Sequence, residues 1–105
     1  MKAVTAMIEE HLADADLNVQ LLTQLTGYGT KLIYRRIKAV TGLTPVNYIR
    51  QMRMQRAAVF LKQGRFAVSE VMYMVGFSTQ SYFAKCFNQT FGMSPAEYSR
   101  RNIQS

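Results

Sequence analysis

Apolar residues recur along this chain at intervals of three and four, broken at glycines, and that spacing predicts helices from end to end. Val4, Met7, Ile8 and Leu12 share one face of a first helix over about Ala3 to Ala13. Asn18 is a good N-cap for a short helix ending at Gly27, with Val19, Leu22 and Leu25 as its apolar residues. Gly29-Thr30 opens a helix that runs to about Thr41 and stops at Gly42. Thr44-Pro45, a cap followed by proline at the first helical position, starts the longest helix, which reaches about Gln63 before Gly64. Val68 to Val75 forms a second short helix ahead of Gly76, and Thr79 opens another that ends at Phe91-Gly92. Ser94-Pro95-Ala96-Glu97 reads as a capping box for a last helix through Tyr98 to about Arg101. No stretch alternates with period two for long enough to be a strand. The expected fold is all-α, with seven helices.

The second half of this pattern repeats the first. Ile33-Tyr34-Arg35-Arg36-Ile37, Gly42-Leu43-Thr44-Pro45, Tyr48 and Arg50 return 50 residues later as Phe83-Ala84-Lys85-Cys86-Phe87, Gly92-Met93-Ser94-Pro95, Tyr98 and Arg100. Ahead of each block, Leu22, Leu25 and Gly27 match Val71, Met74 and Gly76 at a spacing of 49, so the first copy is one residue shorter in its turn. A short helix, a glycine-containing turn and a second helix is the layout of a helix-turn-helix unit. Two such units are expected, over about residues 3–43 and 65–105, joined by a linker helix over about 44–64. That linker spans about 27–30 Å at 1.5 Å per residue, close to the roughly 34 Å between successive major grooves on one face of B-DNA. A rigid rod of this length can hold two reading units about one turn apart.

Charge sharpens the picture. The 105 residues carry a formal net charge of +7, yet four of the six acids (Glu9, Glu10, Asp14, Asp16) lie in the first 16 residues. From Leu17 to Ser69 nine lysines and arginines stand without one acid. A solvated helical surface normally mixes signs for i,i+4 support, whereas a one-signed stretch suits phosphates. Composition excludes other classes. With 49% apolar residues the chain is globular rather than disordered. No apolar run approaches the roughly 18 residues of a membrane span, no signal peptide opens the chain, and no membrane contact is expected. The lone Cys86 fits a reducing cytoplasm.

On the helix from Thr30 to Thr41, Ile33 and Ile37 should face inward, with Val40 and Thr41 continuing that side. Lys31, Tyr34, Arg35 and Lys38, at i, i+3, i+4 and i+7, share a different face. Such a face suits the major groove, where arginine can bind guanine in bidentate fashion. Taken singly it also suits an ordinary solvated helix with Tyr34 over the core edge. The repeat decides for DNA. In the second copy Ser81, Ala84, Lys85 and Asn88 stand at the corresponding places, and Gln80 adds an amide able to read adenine. Phe83, Phe87 and Phe91 lie opposite Lys85 and read as core, not as platforms for single-stranded nucleic acid. On the linker helix, Ile49, Met54, Ala57 and Leu61 should pack toward the units, while Arg50 and Arg56 face the DNA backbone. Arg53 falls among apolar positions and suggests a structural ion pair, with Glu70 the nearest partner in sequence.

Enzymatic chemistry finds no support. One cysteine and one histidine make no zinc cluster. No Ser-His-Asp set, phosphate-cradling glycine loop or pair of catalytic carboxylates stands out, and no cofactor is implied. Cys86 beside Phe83 and Phe87 reads as a small buried hydrophobe despite the neighbouring Lys85. The seven methionines read as core filler. The rival from another class is a basic helical protein-interaction module that docks an acidic partner. It has no need of two glycine-punctuated turns. RNA is a weaker rival, because the deep, narrow A-form major groove does not admit a helix.

With these residues in hand, the chain resembles the DNA-binding domain of the AraC/XylS family of bacterial transcription regulators. The resemblance is most specific over Val75-Gly76-Phe77-Ser78, Ser81-Tyr82-Phe83-Ala84-Lys85-Cys86-Phe87, Phe91-Gly92-Met93-Ser94-Pro95 and Tyr98. Tyr34-Arg35-Arg36-Ile37-Lys38, Thr41-Gly42, Tyr48-Ile49-Arg50, Arg53-Met54 and Ala57 extend it over essentially the whole chain. The first unit is especially similar to regulators fused to two-component sensors in Bacteroidetes-type bacteria. The resemblance implies base contacts from Lys31, Tyr34, Arg35, Gln80, Ser81 and Lys85, and backbone contacts from or near Thr30, Lys38, Arg50 and Asn88. It implies double-stranded promoter DNA and RNA polymerase as partners, and an N-terminal sensor, dimerisation or receiver domain. Three residues depart from the family pattern. Gly29 stands where a serine cap is common, Ala67 where a capping residue is usual, and Asn88 where lysine is common.

Overall fold

The structure, a computed structural model, describes residues 2–102. Among them are seven helices and no strand: α1 (Lys2–Glu10), α2 (Val19–Thr26), α3 (Thr30–Thr41), α4 (Pro45–Gln63), α5 (Val68–Met74), α6 (Gln80–Phe91) and α7 (Pro95–Asn102). The last residues assigned to the second unit, 103–105, lie outside the described residues. Local chemistry sets most of the boundaries. Asn18 accepts from the Leu21 N–H at 2.8 Å to start α2. Thr44 accepts from the Asn47 N–H at 3.3 Å with Pro45 at the first position of α4. Ser94 accepts from the Glu97 N–H at 3.1 Å, while the Glu97 carboxylate pairs with Arg101 one turn on at 3.3 Å. One boundary moved: α1 ends at Glu10, and residues 11–13 form turns instead of continuing to Ala13.

Two hydrophobic cores lie side by side. Val4, Ile8, Leu12, Leu17, Leu22, Ile33, Ile37 and Ile49 build the first. Met54, Ala57, Leu61, Val71, Val75, Phe83 and Phe87 are fully buried in the second. There the rings interlock, with Phe87 4.6 Å from Phe91 and edge-on to Tyr98 at 5.2 Å between centroids. Cys86 is buried among them. The helix α4 belongs to both cores. Its first half offers Ile49 to one, and its second half turns Met54, Ala57, Ala58 and Leu61 toward the other. That change of face is why α4 has no single apolar stripe, although α3, α6 and α7, which pack on it, are each amphipathic. The molecule is 44 × 25 × 22 Å, long enough to reach from one major groove to the next.

Two apolar residues expected inside are outside. Val40 is 66% exposed and Leu25 36% exposed. Leu21, one turn before Leu25, packs against the first core instead. In an eight-residue helix the inward side is fixed by its two neighbours, and a three-residue spacing alone does not choose between Leu21 and Leu25.

Candidate nucleic-acid interface

The helix α3 is pinned by Ile33 and Ile37, both fully buried. This leaves Thr30, Lys31, Tyr34, Arg35 and Lys38 exposed together, framing a shallow open depression. Tyr34 is 47% exposed and does not fold over the core edge. The helix α6 repeats the arrangement. Phe83, Cys86 and Phe87 are buried, and Gln80, Ser81, Lys85 and Asn88 are exposed. Ala84, where the first copy has Tyr34, is half-buried. Neither helix has a side-chain N-cap bond, since Gly29 offers no acceptor and the Thr79 hydroxyl makes no capping bond. Ala67 likewise has no acceptor for α5. Half of a capping box forms there, as the Glu70 carboxylate accepts from the Ala67 N–H at 2.8 Å.

Arg50 is placed differently from the other candidates. It is half-buried, donates to Asn47 Oδ1 at 3.1 Å, and lines a crevice between α4 and the turn before α6. Arg56 stands six residues on, about 240° further round the helix. It borders a groove with Glu9, Met52, Gln55 and Val59.

Arg53 corrects an expectation. Its partner is not Glu70, which is occupied at the start of α5. Arg53 Nη2 donates at 2.7 Å to the main-chain carbonyl of Asp14, in the connection between α1 and α2. The same carbonyl accepts from the Leu17 N–H at 3.1 Å, and the Asp14 carboxylate accepts from the Asp16 N–H at 2.9 Å. The guanidinium also lies over the Phe77 ring, 5.9 Å from its centroid. Burial pushes the Arg53 pKa below the usual arginine value, with the nearby Asp14 and Tyr82 pulling the other way. A main-chain acceptor 39 residues away leaves no charge pattern to read, so this contact was not visible in the sequence. Ser78 and Tyr82, beside Arg50 in the crevice, were also missed. The signal in the sequence was Tyr82 itself, an aromatic one residue out of phase with the Phe83 stripe; in the structure it is 47% exposed.

Two amphipathic helices at equal places in a sequence repeat, each closing its own core and each presenting a polar side, define a tandem helix-turn-helix domain. Comparison with known proteins places it. A family model described as a helix-turn-helix domain matches residues 22–101. The chain is 32% identical over 101 residues to histidine kinase P4 of Formosa agariphila and 28% identical over 97 residues to the transcriptional activator RhaS of Escherichia coli. These matches cover 96% and 92% of the chain, but only 7% of the kinase and 34% of RhaS. Among solved structures, the C-terminal domain of AraT, a response regulator from Geobacillus stearothermophilus, superposes with a TM-score of 0.88 at 27% identity. That match covers 99% of this chain and 85% of the other. The DNA-binding domain of AdpA, a global transcriptional factor solved in complex with a target DNA, gives 0.84 at 26% identity over 93% of this chain and 87% of that one. The chain therefore belongs to the helix-turn-helix domain family of AraC type, whose domains bind DNA and regulate transcription and are not enzymes. Among the described residues, no helix is long and apolar enough to cross a membrane, and no group of three or more His, Cys, Asp or Glu side chains could hold a metal ion.

Proposed function

We propose that this domain binds promoter DNA bivalently, with α3 and α6 in successive major grooves and α4 holding them apart. The observation that carries the reading is the paired exposure of equivalent helix faces on two separate cores joined by one rod. In this reading residues 3–43 and 65–105 are the two reading units and 44–64 the linker. Lys31, Tyr34 and Arg35 read bases in one groove, and Gln80, Ser81 and Lys85 in the next. Thr30, Lys38, Arg50 and Asn88 meet the phosphate backbone. The uncapped start of α3 supports the contact near Thr30, because free first-turn N–H groups favour an anion. The matched relatives extend well beyond this length of chain. In keeping with that, we place the domain in a cytoplasmic regulator with an N-terminal sensor, dimerisation or receiver region and with RNA polymerase as its further partner.

The test is a titration of the 105-residue chain with a duplex selected from a random pool and with an unselected duplex, at several salt concentrations. Log K should fall with log salt by about 0.9 per phosphate neutralised, and the selected duplex should bind more tightly at every salt. If neither duplex binds better than a polyanion of matched charge, the reading fails and a basic protein-interaction module takes its place.

A further inference from the structure

The two units touch in a second place besides α4. Gly76, in the turn between α5 and α6, packs against the connection that follows α1. A Cβ built on it would lie 2.5 Å from the Leu12 carbonyl oxygen and 2.9 Å from Arg53 Cζ and Nη2. The guanidinium of Arg53 fills the junction. One edge is bonded to the Asp14 carbonyl of the first unit, and its central carbon lies over the Phe77 ring of the second, 5.9 Å from the centroid. Its Nε is buried without a hydrogen-bond partner. A buried orphan donor on an arginine is costly, and a methionine or leucine would fill the same space without that penalty. Packing alone therefore gives no reason for an arginine at this position. Bridging two units does, because a guanidinium with several donors can bond a carbonyl of one unit while its charge lies over a ring of the other.

We propose that Arg53 is a positioning residue that fixes the angle between the two reading helices and so sets the half-site spacing the domain accepts. The proposal rests on the bivalent DNA reading for its consequence, but the geometry it predicts exists without DNA. With α4 alone, the second unit could swing about one helix. With Arg53 locked between Asp14 and Phe77, the pair behaves as one body. Engagement of the second half-site then follows the first at high effective concentration, provided the geometry matches.

Two measurements on the 105-residue chain test this. Residual dipolar couplings of the free protein report whether the units share one alignment. They should fit a single tensor in the natural chain and two distinct tensors in Arg53→Met, which keeps the aliphatic stem and removes the cation. Binding to selected duplexes, with zero, one or two base pairs inserted between the half-sites, reports the consequence. Arg53→Met should lose about tenfold in affinity for the correctly spaced site, keep its affinity for a single half-site, and discriminate less against the insertions. Arg53→Lys, which restores a charge and a donor but not the guanidinium fork, should fall between the two. If Arg53→Met does not fold, Arg53→Lys carries both measurements with a smaller expected effect. A variant with one unchanged tensor and the natural spacing preference overturns the proposal. Absence of specific duplex binding by the natural chain would overturn the DNA reading instead, and the couplings would still decide the role of Arg53.

Discussion

Gly27 and Gly76 occupy the same place in the two copies of the repeat and have nearly the same backbone, φ 78° and φ 86°. Their surroundings differ. A Cβ on Gly27 would meet nothing within 4 Å, whereas one on Gly76 would meet a main-chain oxygen at 2.5 Å and a pinned guanidinium at 2.9 Å. Alanine at either site carries the left-handed penalty, about 1–2 kcal/mol. Both variants also recover about 0.4–1 kcal/mol from a stiffer unfolded chain. Gly27→Ala should therefore cost between about 0 and 1.6 kcal/mol. At Gly76 these two contributions are the same, and overpacking adds about 1–3 kcal/mol. The difference between the variants isolates the contact between the units. The oxygen it strikes belongs to Leu12, itself buried in the first core, so the obstacle cannot swing aside as a surface side chain would. Urea denaturation measures both, with an unchanged slope showing that the unfolded states are comparable. On heating, the gap should appear as about 4 °C per kcal/mol at this chain length. If the two variants lie within about 0.5 kcal/mol of each other, the approach of the second turn to the first unit is loose, and Arg53 has no fixed junction to fill.

The two reading faces should contribute unequally. The first carries Lys31, Tyr34, Arg35 and Lys38; the second has one cation, Lys85, among Gln80, Ser81 and Asn88. Arg35→Ala should cost about 1–3 kcal/mol of specific binding and relax preference at a definite base position. Lys85→Ala should cost less, and equal or greater loss would show the ranking wrong. Lys38→Ala should weaken all duplexes alike and lower the salt slope by about 0.9. All three side chains are exposed, so thermal stability should hardly move and binding losses can be read directly. Capping gives a separate check: Asn18→Ala removes the acceptor for the Leu21 N–H and should cost about 1 kcal/mol, while Ala67→Ser supplies the acceptor that α5 lacks and should raise the urea midpoint. A neutral Asn18→Ala would mean that tertiary packing alone starts α2.

The helix boundaries were legible because caps and stops are local chemistry: Asn18, Thr44-Pro45 and Ser94 each act within a few residues of themselves. The two faces of α3 and α6 were legible for a related reason, since isoleucine and phenylalanine pairs four apart fix the inward side. The end of α1 was not. Leu12 remains buried although the helix has stopped, so its burial follows from the path of the connection and not from helical phase. Arg53 escaped for the same reason at longer range. Its partners are a carbonyl, a ring and a missing Cβ, on segments 39 residues before it and 23–24 residues after it, and none of them leaves a charge or a period to detect.

In the proposed function, two helices of one small domain enter neighbouring major grooves. Methylation protection at guanine N7, on a selected duplex bound by the 105-residue chain, tests it most directly because that atom lies in the major groove. Two protected blocks are expected on one face of the duplex, with centres about 10–10.5 base pairs apart. A single protected block, or two blocks on opposite faces, would contradict the two-groove reading.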